Sequence, residues 1–309
     1  MRRIIRAACC IPFIAAFCIQ AQEPTTPPSA NPSDWKIAVN TNLTLTLNTY
    51  SNNWTGGEFS ALAWAWQFNG TAQRAFTPWL TNVNTLKCQF GQTAQQVKTA
   101  TGDKHWEPPQ KSSDLIDAEA LFRITVSSVI EPFVDVRGIT QFADSRNPDS
   151  LVGLNTFIIT ESFGGLRQIT KTKVVDWTAR LGGALRQSID RNTSIDTSLR
   201  PDKKVTTDGG IELVTLLKAV SANNKINYTT ELKAYAALFS SMSTSVENTP
   251  RADYWKYPDI TWEHTLGVNL TKYVMLNFYA KLLYDRELDQ DVRYKQTLGL
   301  GLSYAFATK

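Results

Sequence analysis

The chain has 309 residues, 32 of them basic and 28 acidic, with a formal net charge of +4. Arg2, Arg3 and Arg6 belong to an N-terminal export signal, so the remainder carries 29 basic against 28 acidic side chains, too even a balance for a nucleic-acid-binding footprint. Cys9, Cys10 and Cys18 lie in the same signal; Cys88 alone remains, which excludes an intrachain disulfide.

Residues 1–21 read as a signal peptide. The three arginines precede a short apolar core, residues 7–19, and Ala21-Gln22 suits cleavage. That core is too short to span a bilayer as a helix, which argues against a retained anchor. Phe17 stands where a lipoprotein signal needs a small residue, so lipidation of Cys18 is not expected. Residues 22–34 are rich in proline and read as an extended periplasmic leader.

From residue 35 onward the periodicity is two. Trp35, Ile37, Val39, Leu43, Leu45 and Leu47 alternate with polar or small residues and predict a first strand. A second strand over 59–68 puts Leu62, Trp64, Trp66 and Phe68 on one face, with a tight turn expected at Asn69-Gly70. A third runs over about 76–90 with weaker alternation, followed by a polar loop over 91–113 containing Pro108-Pro109. The fourth opposes Ile116, Ala118, Ala120 and Phe122 to Asp117, Glu119 and Arg123; the fifth opposes Val134, Val136 and Gly138 to Asp135 and Arg137. Residues 143–156 read as a loop. The sixth strand, 157–169, has ambiguous parity, and Glu161 and Arg167 are placed inward because charge on lipid is costly.

The seventh strand opposes Val175, Trp177 and Leu181 to Asp176, Arg180 and Arg186. A polar loop over 188–208 precedes the eighth strand at 210–220, which turns at 221–224. The ninth places Glu231 and Lys233 opposite Leu232 and Ala234. After a loop over 241–257, the tenth places Glu263 opposite Trp262 and Leu266, and the eleventh places Lys281 opposite Leu276 and Phe278. The last strand, 292–306, alternates Tyr294, Leu298, Leu300, Leu302, Tyr304 and Phe306 with Arg293, Lys295, Gly299 and Gly301, interrupted on the apolar face by Gln296.

Strands of this length, apolar on one side and polar on the other, predict an all-β fold: a transmembrane antiparallel β-barrel of about twelve strands in meander order over 35–309. Long connections after odd strands and short ones after even strands match the outer-loop, periplasmic-turn asymmetry of such barrels, and place both termini in the periplasm. A soluble sandwich would need shorter strands and would not explain alternating loop lengths. Asn53-Trp54-Thr55-Gly56-Gly57, Lys111-Ser112-Ser113-Asp114 and the closing Gly299 to Phe306 run resemble the domain of unknown function 3078 family, uncharacterised outer-membrane barrels. That resemblance implies an outer-membrane location and no known activity. Phe306 also resembles the aromatic end read by the barrel-assembly machinery, here followed by Ala307-Thr308-Lys309.

Catalytic, metal and cofactor readings find little support. His264 sits on the lipid-facing parity between Trp262 and Leu266, so it lacks the serine two residues away that resemblance to a barrel phospholipase would require. One cysteine and two distant histidines (His105, His264) make no zinc site. Asp285, Glu287, Asp289 and Asp291 form an acidic run that could meet Ca²⁺ or lipopolysaccharide, against the plain reading of a solvated loop. Trp35, Trp64, Trp66, Trp79, Trp177 and Trp262 read as interface girdle.

The predicted lumen lining is Asp117, Glu119, Arg123, Asp135, Arg137, Asp176, Arg180, Arg186, Glu231, Lys233, Glu263 and Lys281. Signs alternate along and between strands, as expected of ion pairs across a narrow interior. Two functions follow: a narrow channel for small polar or ionic solutes, or a non-conducting structural barrel whose long loops bind a partner, a glycan or lipopolysaccharide. The expected surroundings are outer-membrane lipid and lipopolysaccharide, the export and barrel-assembly machinery, and no nucleic acid; the expected state is a monomer.

Overall fold

The computed structural model describes residues 34–50, 59–99, 103–126, 129–147, 150–191 and 204–307. The signal peptide, most of the leader and the Asn53 to Gly57 motif lie outside the described residues. In chain order the strands are β1 (Lys36–Asn48), β2 (Ala61–Thr77), β3 (Leu80–Lys98), β4 (Lys104–Trp106), β5 (Gln110–Ile124), β6 (Glu131–Thr140), β7 (Ala143–Asn147), β8 (Ser150–Gly153), β9 (Phe157–Lys171), β10 (Val175–Asp190), β11 (Lys204–Val220), β12 (Ile226–Ser240), β13 (Asp259–Asn269), β14 (Val274–Tyr284) and β15 (Arg293–Ala307).

Twelve of them close into one antiparallel ring: β1, β2, β3, β5, β6, β9, β10, β11, β12, β13, β14 and β15, with β15 pairing back onto β1 from Ala38↔Ala307 to Thr44↔Gly301. A closed ring leaves no open sheet edge, as spanning a bilayer with strands requires. β4 is a short addition to β3, and β7–β8 is a separate hairpin between β6 and β9.

Burial is inverted relative to a soluble protein. Leu298 on the outer face is 67% exposed, whereas Asp135 on the inner face is 1% exposed. Leu43, Leu45 and Leu47 of β1 and Leu300, Leu302 and Tyr304 of β15 also face outward. Three outward tryptophans satisfy their indole N–H in the same way, on a threonine of the next strand, diagonally placed in the register. Trp66 Nε1 donates to Thr41 Oγ1 (3.0 Å), Trp177 Nε1 to Thr215 Oγ1 (2.8 Å), and Trp262 Nε1 to Thr230 Oγ1 (3.0 Å). An unmet donor on an apolar face would be costly.

The connections alternate in length. At one end of the barrel short connections join β2 to β3, β5 to β6, β9 to β10, β11 to β12 and β13 to β14; at the other end β1 and β2, β3 and β5, β6 and β9, β10 and β11, β12 and β13, and β14 and β15 are separated by longer stretches of sequence. β1 begins and β15 ends at the short-turn end. At the long-loop end, Asn155 Nδ2 donates to both Asp144 (2.8 Å) and Asp190 (2.9 Å), and Arg146 pairs with the same two carboxylates, which pins the β7–β8 hairpin to the tip of β10.

Several local expectations are corrected. Asn69-Gly70 is not a turn: Asn69 pairs with Asn40 and Lys87, Gly70 with Val39 and Leu86, and two flanking strands outweigh the local turn preference. The chain turns instead at Pro78-Trp79. The expected third strand therefore starts later, at Leu80, and runs on to Lys98. Much of the expected loop over 91–113 is strand, because Gln92 to Gln95 keep pairing with β2. The 143–156 loop contains the β7–β8 hairpin. The 188–208 loop is shorter than expected: β10 continues to Asp190 and β11 starts at Lys204. Glu161 and Arg167 face outward, not inward. Thr160 lies opposite Arg137, Ser162 opposite Asp135 and Leu166 opposite Arg180, so the buried ion-pair face of the neighbours sets the parity of β9 and overrides the cost of two exposed charges.

Candidate functional site: the lumen

The twelve predicted lining residues all share the inward parity of their strands. Alternation along each strand, with neighbours in register, stacks them into one polar interior. Arg137 grips Asp117 with a two-pronged fork, Nε to Oδ1 at 2.7 Å and Nη2 to Oδ2 at 2.5 Å. Arg180 pairs with Glu119 and with Asp135 (3.3 Å), its guanidinium 5.7 Å from the Phe133 ring centroid. Lys233 meets Glu231 at 3.0 Å, and Lys281 meets Glu263 at 2.9 Å. Toward the long-loop end, Arg186 joins Asp259 (2.6 Å) and Asp208 (3.6 Å) over the Tyr235 ring. Toward the short-turn end, Arg123 joins Glu131 (2.6 Å), and Asp176 accepts from Gln168 Nε2 (2.8 Å).

One contact spans the barrel. Lys87 of β3 and Glu231 of β12 lie on opposite strands of the ring, yet Nζ and Oε2 are 2.7 Å apart. A second cross-link runs from Asn277 Nδ2 on β14 to Gln67 Oε1 on β2 (2.8 Å). The two walls are thus drawn together at mid-height. On the outside, the wall is hollowed over the same rungs into an apolar groove of about 640 Å³. Its floor is made of small residues that flank the inward ion-pair positions: Gly70, Ala72, Ala118, Ala120 and Gly138. Inside, a cavity of about 100 Å³ remains beside Glu119, Arg180 and Glu231, bounded by Thr85, Leu166 and Val214. That is space for a few waters, not for an organic solute.

Sequence reading missed Lys87, Glu131 and Asp208 as lining; Asp259 shares the inward parity expected for Glu263 but was left out of the lining set. Lys87 was findable. Leu86, Cys88 and Phe90 carry the outward parity of β3, and extending it inward picks out Thr85, Lys87 and Gln89. His264 is outward, its Nδ1 2.8 Å from the Tyr228 hydroxyl and its ring 4.6 Å from Trp262. Asp285 Oδ1 accepts from the N–H of Glu287 (3.0 Å), and Asp289 Oδ1 from the N–H of Asp291 (3.1 Å), so part of the acidic run is spent on its own loop. Among the described residues no group of three or more His, Cys, Asp or Glu side chains could hold a metal ion.

Two loops meet at the long-loop end. Arg286 lies 4.0 Å from the Tyr257 ring centroid and 5.1 Å from that of Tyr254, and Gln290 donates to the Tyr254 hydroxyl (2.7 Å). These contacts fix loop 285–292 against loop 241–258. Burial pushes the Glu287 carboxyl up to about 7, helped by the negative charges of Asp208, Asp285 and Asp259.

No family model matches the sequence, and no curated protein matches it. Among solved structures, an outer membrane channel from Pseudomonas putida F1 is 13% identical, covering 92% of this chain and 100% of that one, with a TM-score of 0.44. The translocator domain of the autotransporter NalP from Neisseria meningitidis is 10% identical over 90% of each chain (TM-score 0.35). The high-pH structure of OprB from Pseudomonas putida is 10% identical over 88% of this chain and 94% of that one (TM-score 0.29).

Proposed function

We propose that the protein is an outer-membrane channel for small polar or ionic solutes, seen here constricted by an ion-pair belt. The observation that carries this reading is the inversion of the barrel: an apolar outer wall around an interior lined with paired charges from one end to the other. A barrel with no transport task could fill its interior with apolar side chains at less electrostatic cost. The pairs instead form a breakable constriction, and Lys87–Glu231 is its narrowest tie.

On this reading the long loops face outward and the short turns and both termini face the periplasm. The surrounding partners are outer-membrane lipid and lipopolysaccharide, and delivery uses the export and barrel-assembly machinery. A monomer suffices, because the lumen is complete within one chain. Swelling of liposomes holding the refolded barrel tests the reading. Entry of small ionic solutes, faster in Lys87→Ala, supports it. Impermeable liposomes with fully folded barrel in both cases overturn it.

The second reading is a non-conducting barrel that works through its loops. The same Lys87–Glu231 tie favours it, since it joins opposite walls across the lumen.

A further inference from the structure

Inward charge is divided unequally around the ring. All inward carboxylates of the described strands come from β5 to β13: Asp117, Glu119, Asp135, Glu231 and Glu263 at mid-height, with others above and below. The next four strands, β14, β15, β1 and β2, and the adjoining β3, contribute none. In the half of the lumen nearer the long loops, β2 shows Ala61, Ala63 and Ala65, β1 shows Asn42 and Thr44, and β15 shows Gly299 and Gly301. From mid-height to the long-loop end, the charges on this wall are cations: Lys87, Lys281, Arg293 and Lys295.

Lys87 and Lys281 have acid partners; Arg293 and Lys295 have none among the described residues. Lys295 sits directly opposite Lys281 in the register, a like-charge pair that costs energy unless an anion intervenes. Its Nζ reaches only a backbone carbonyl, that of Ser112, at 3.3 Å. Two nitrogens of the Arg293 guanidinium, Nε and Nη2, are buried with no acceptor. The Asn42 side-chain amide on the same wall is also buried without a partner. A buried guanidinium edge with two unfilled donors matches the two oxygens of a carboxylate or phosphate. The acids of the 285–292 loop do not fill it: Asp285 and Asp289 accept from their own loop, and Glu287 is turned among Asp208, Asp259 and Arg186.

We propose that this wall is an anion site: Arg293 and Lys295 capture a small carboxylate- or phosphate-bearing solute in the outer half of the lumen. The proposal rests on the channel reading for its physiological role, but not for its test. The inward residues of β2 and β15 on this wall are small, whereas the β5 to β13 side carries its own ion pairs. An anion entering here meets unpaired cations before it meets the Lys87–Glu231 tie. Passing that tie then requires Lys87 to exchange one carboxylate for another oxyanion.

Titration calorimetry with inorganic phosphate, on the refolded barrel in uncharged detergent at low salt, tests the site directly. Phosphate binds the wild-type barrel; Arg293→Gln and Lys295→Gln each weaken it about tenfold, the scale of one charged hydrogen bond. Lys295→Arg retains binding, and Arg167→Gln on the outer face leaves it unchanged. Absence of phosphate heat in the wild type, or equal affinity in all variants, overturns the proposal. In a planar bilayer under a KCl gradient, the barrel prefers anions and Lys295→Glu shifts the reversal potential toward cations; a cation-preferring wild type also overturns it. A barrel that binds phosphate but never conducts upholds the anion site and defeats the channel reading.

Discussion

The Arg137–Asp117 fork should hold the barrel's waist, and a double-mutant cycle measures how strongly. The side chains are 10% and 8% exposed, and two hydrogen bonds of 2.5 and 2.7 Å join them. Removing one partner strands the other as a buried charge, a loss of about 3–5 kcal/mol. Lys87 lies opposite Asp117 in the register and can partly compensate for a missing arginine, which puts Arg137→Met at the lower end, about 3 kcal/mol. Asp117→Leu leaves Arg137 with no fork partner and lies nearer the upper end. Replacing both, Arg137→Met with Asp117→Leu, removes the charges together and should cost far less than the sum of the two single changes. Reversible urea unfolding of the barrel in lipid vesicles, followed by tryptophan fluorescence, gives all four stabilities. Additive single effects would mean that the two groups are not energetically coupled and that the fork does not hold the waist.

The Glu287 carboxyl, held up at about 7 against an ordinary value near 4.5, is more easily protonated in the docked loop than in a free one. Docking of loop 285–292 is therefore strongest below about pH 4.5 and is lost as pH rises through about 7. Hydrogen exchange of that loop should show this dependence, and Glu287→Gln should abolish it; a dependence that survives the substitution assigns it elsewhere. Thr41→Val, Thr215→Val and Thr230→Val each leave an outward indole N–H unmet and should destabilise by about 1 kcal/mol. The three sites are far apart, so urea unfolding of the triple variant should show their sum. Gly164 and Gly182 are cross-strand partners whose added Cβ would stand 2.2 Å from the Leu181 carbonyl oxygen and 2.1 Å from that of Phe163. Gly182→Ala should lose the heat-modifiable electrophoretic mobility of the folded barrel, or unfold at markedly lower urea; wild-type behaviour would contradict the close approach.

The architecture was legible in the sequence because a barrel wall has a single repeating requirement. Each residue of a strand points either outward or into the lumen, so alternation in β1, β10 and β15 reports burial directly. It failed where that requirement competes with another. At Asn69-Gly70 a strong local turn signal sits in a strand fixed from both sides by neighbours far away in sequence. In β9 the apolar set is split between faces: Leu166 packs inward beside Arg180, while Glu161 stays outside, and only the register with β6 and β10 settles the parity. The lining residues were legible as inward charges, but their partners were not. Lys87 and Glu231 are 144 positions apart, and no spacing rule connects opposite walls of a closed ring. The splitting of the lumen into an acid-bearing side and an acid-free side likewise appears only once the strands are ordered around that ring.

We read the ion-pair belt as the constriction of a channel. Single-barrel conductance in a planar bilayer, comparing wild type with Lys87→Ala and Arg137→Ala, decides the matter. Wild type should give small discrete steps, and larger ones should appear when the tie across the barrel is cut. A folded barrel that stays silent in all three would contradict it and leave the outer loops as the working part of the molecule.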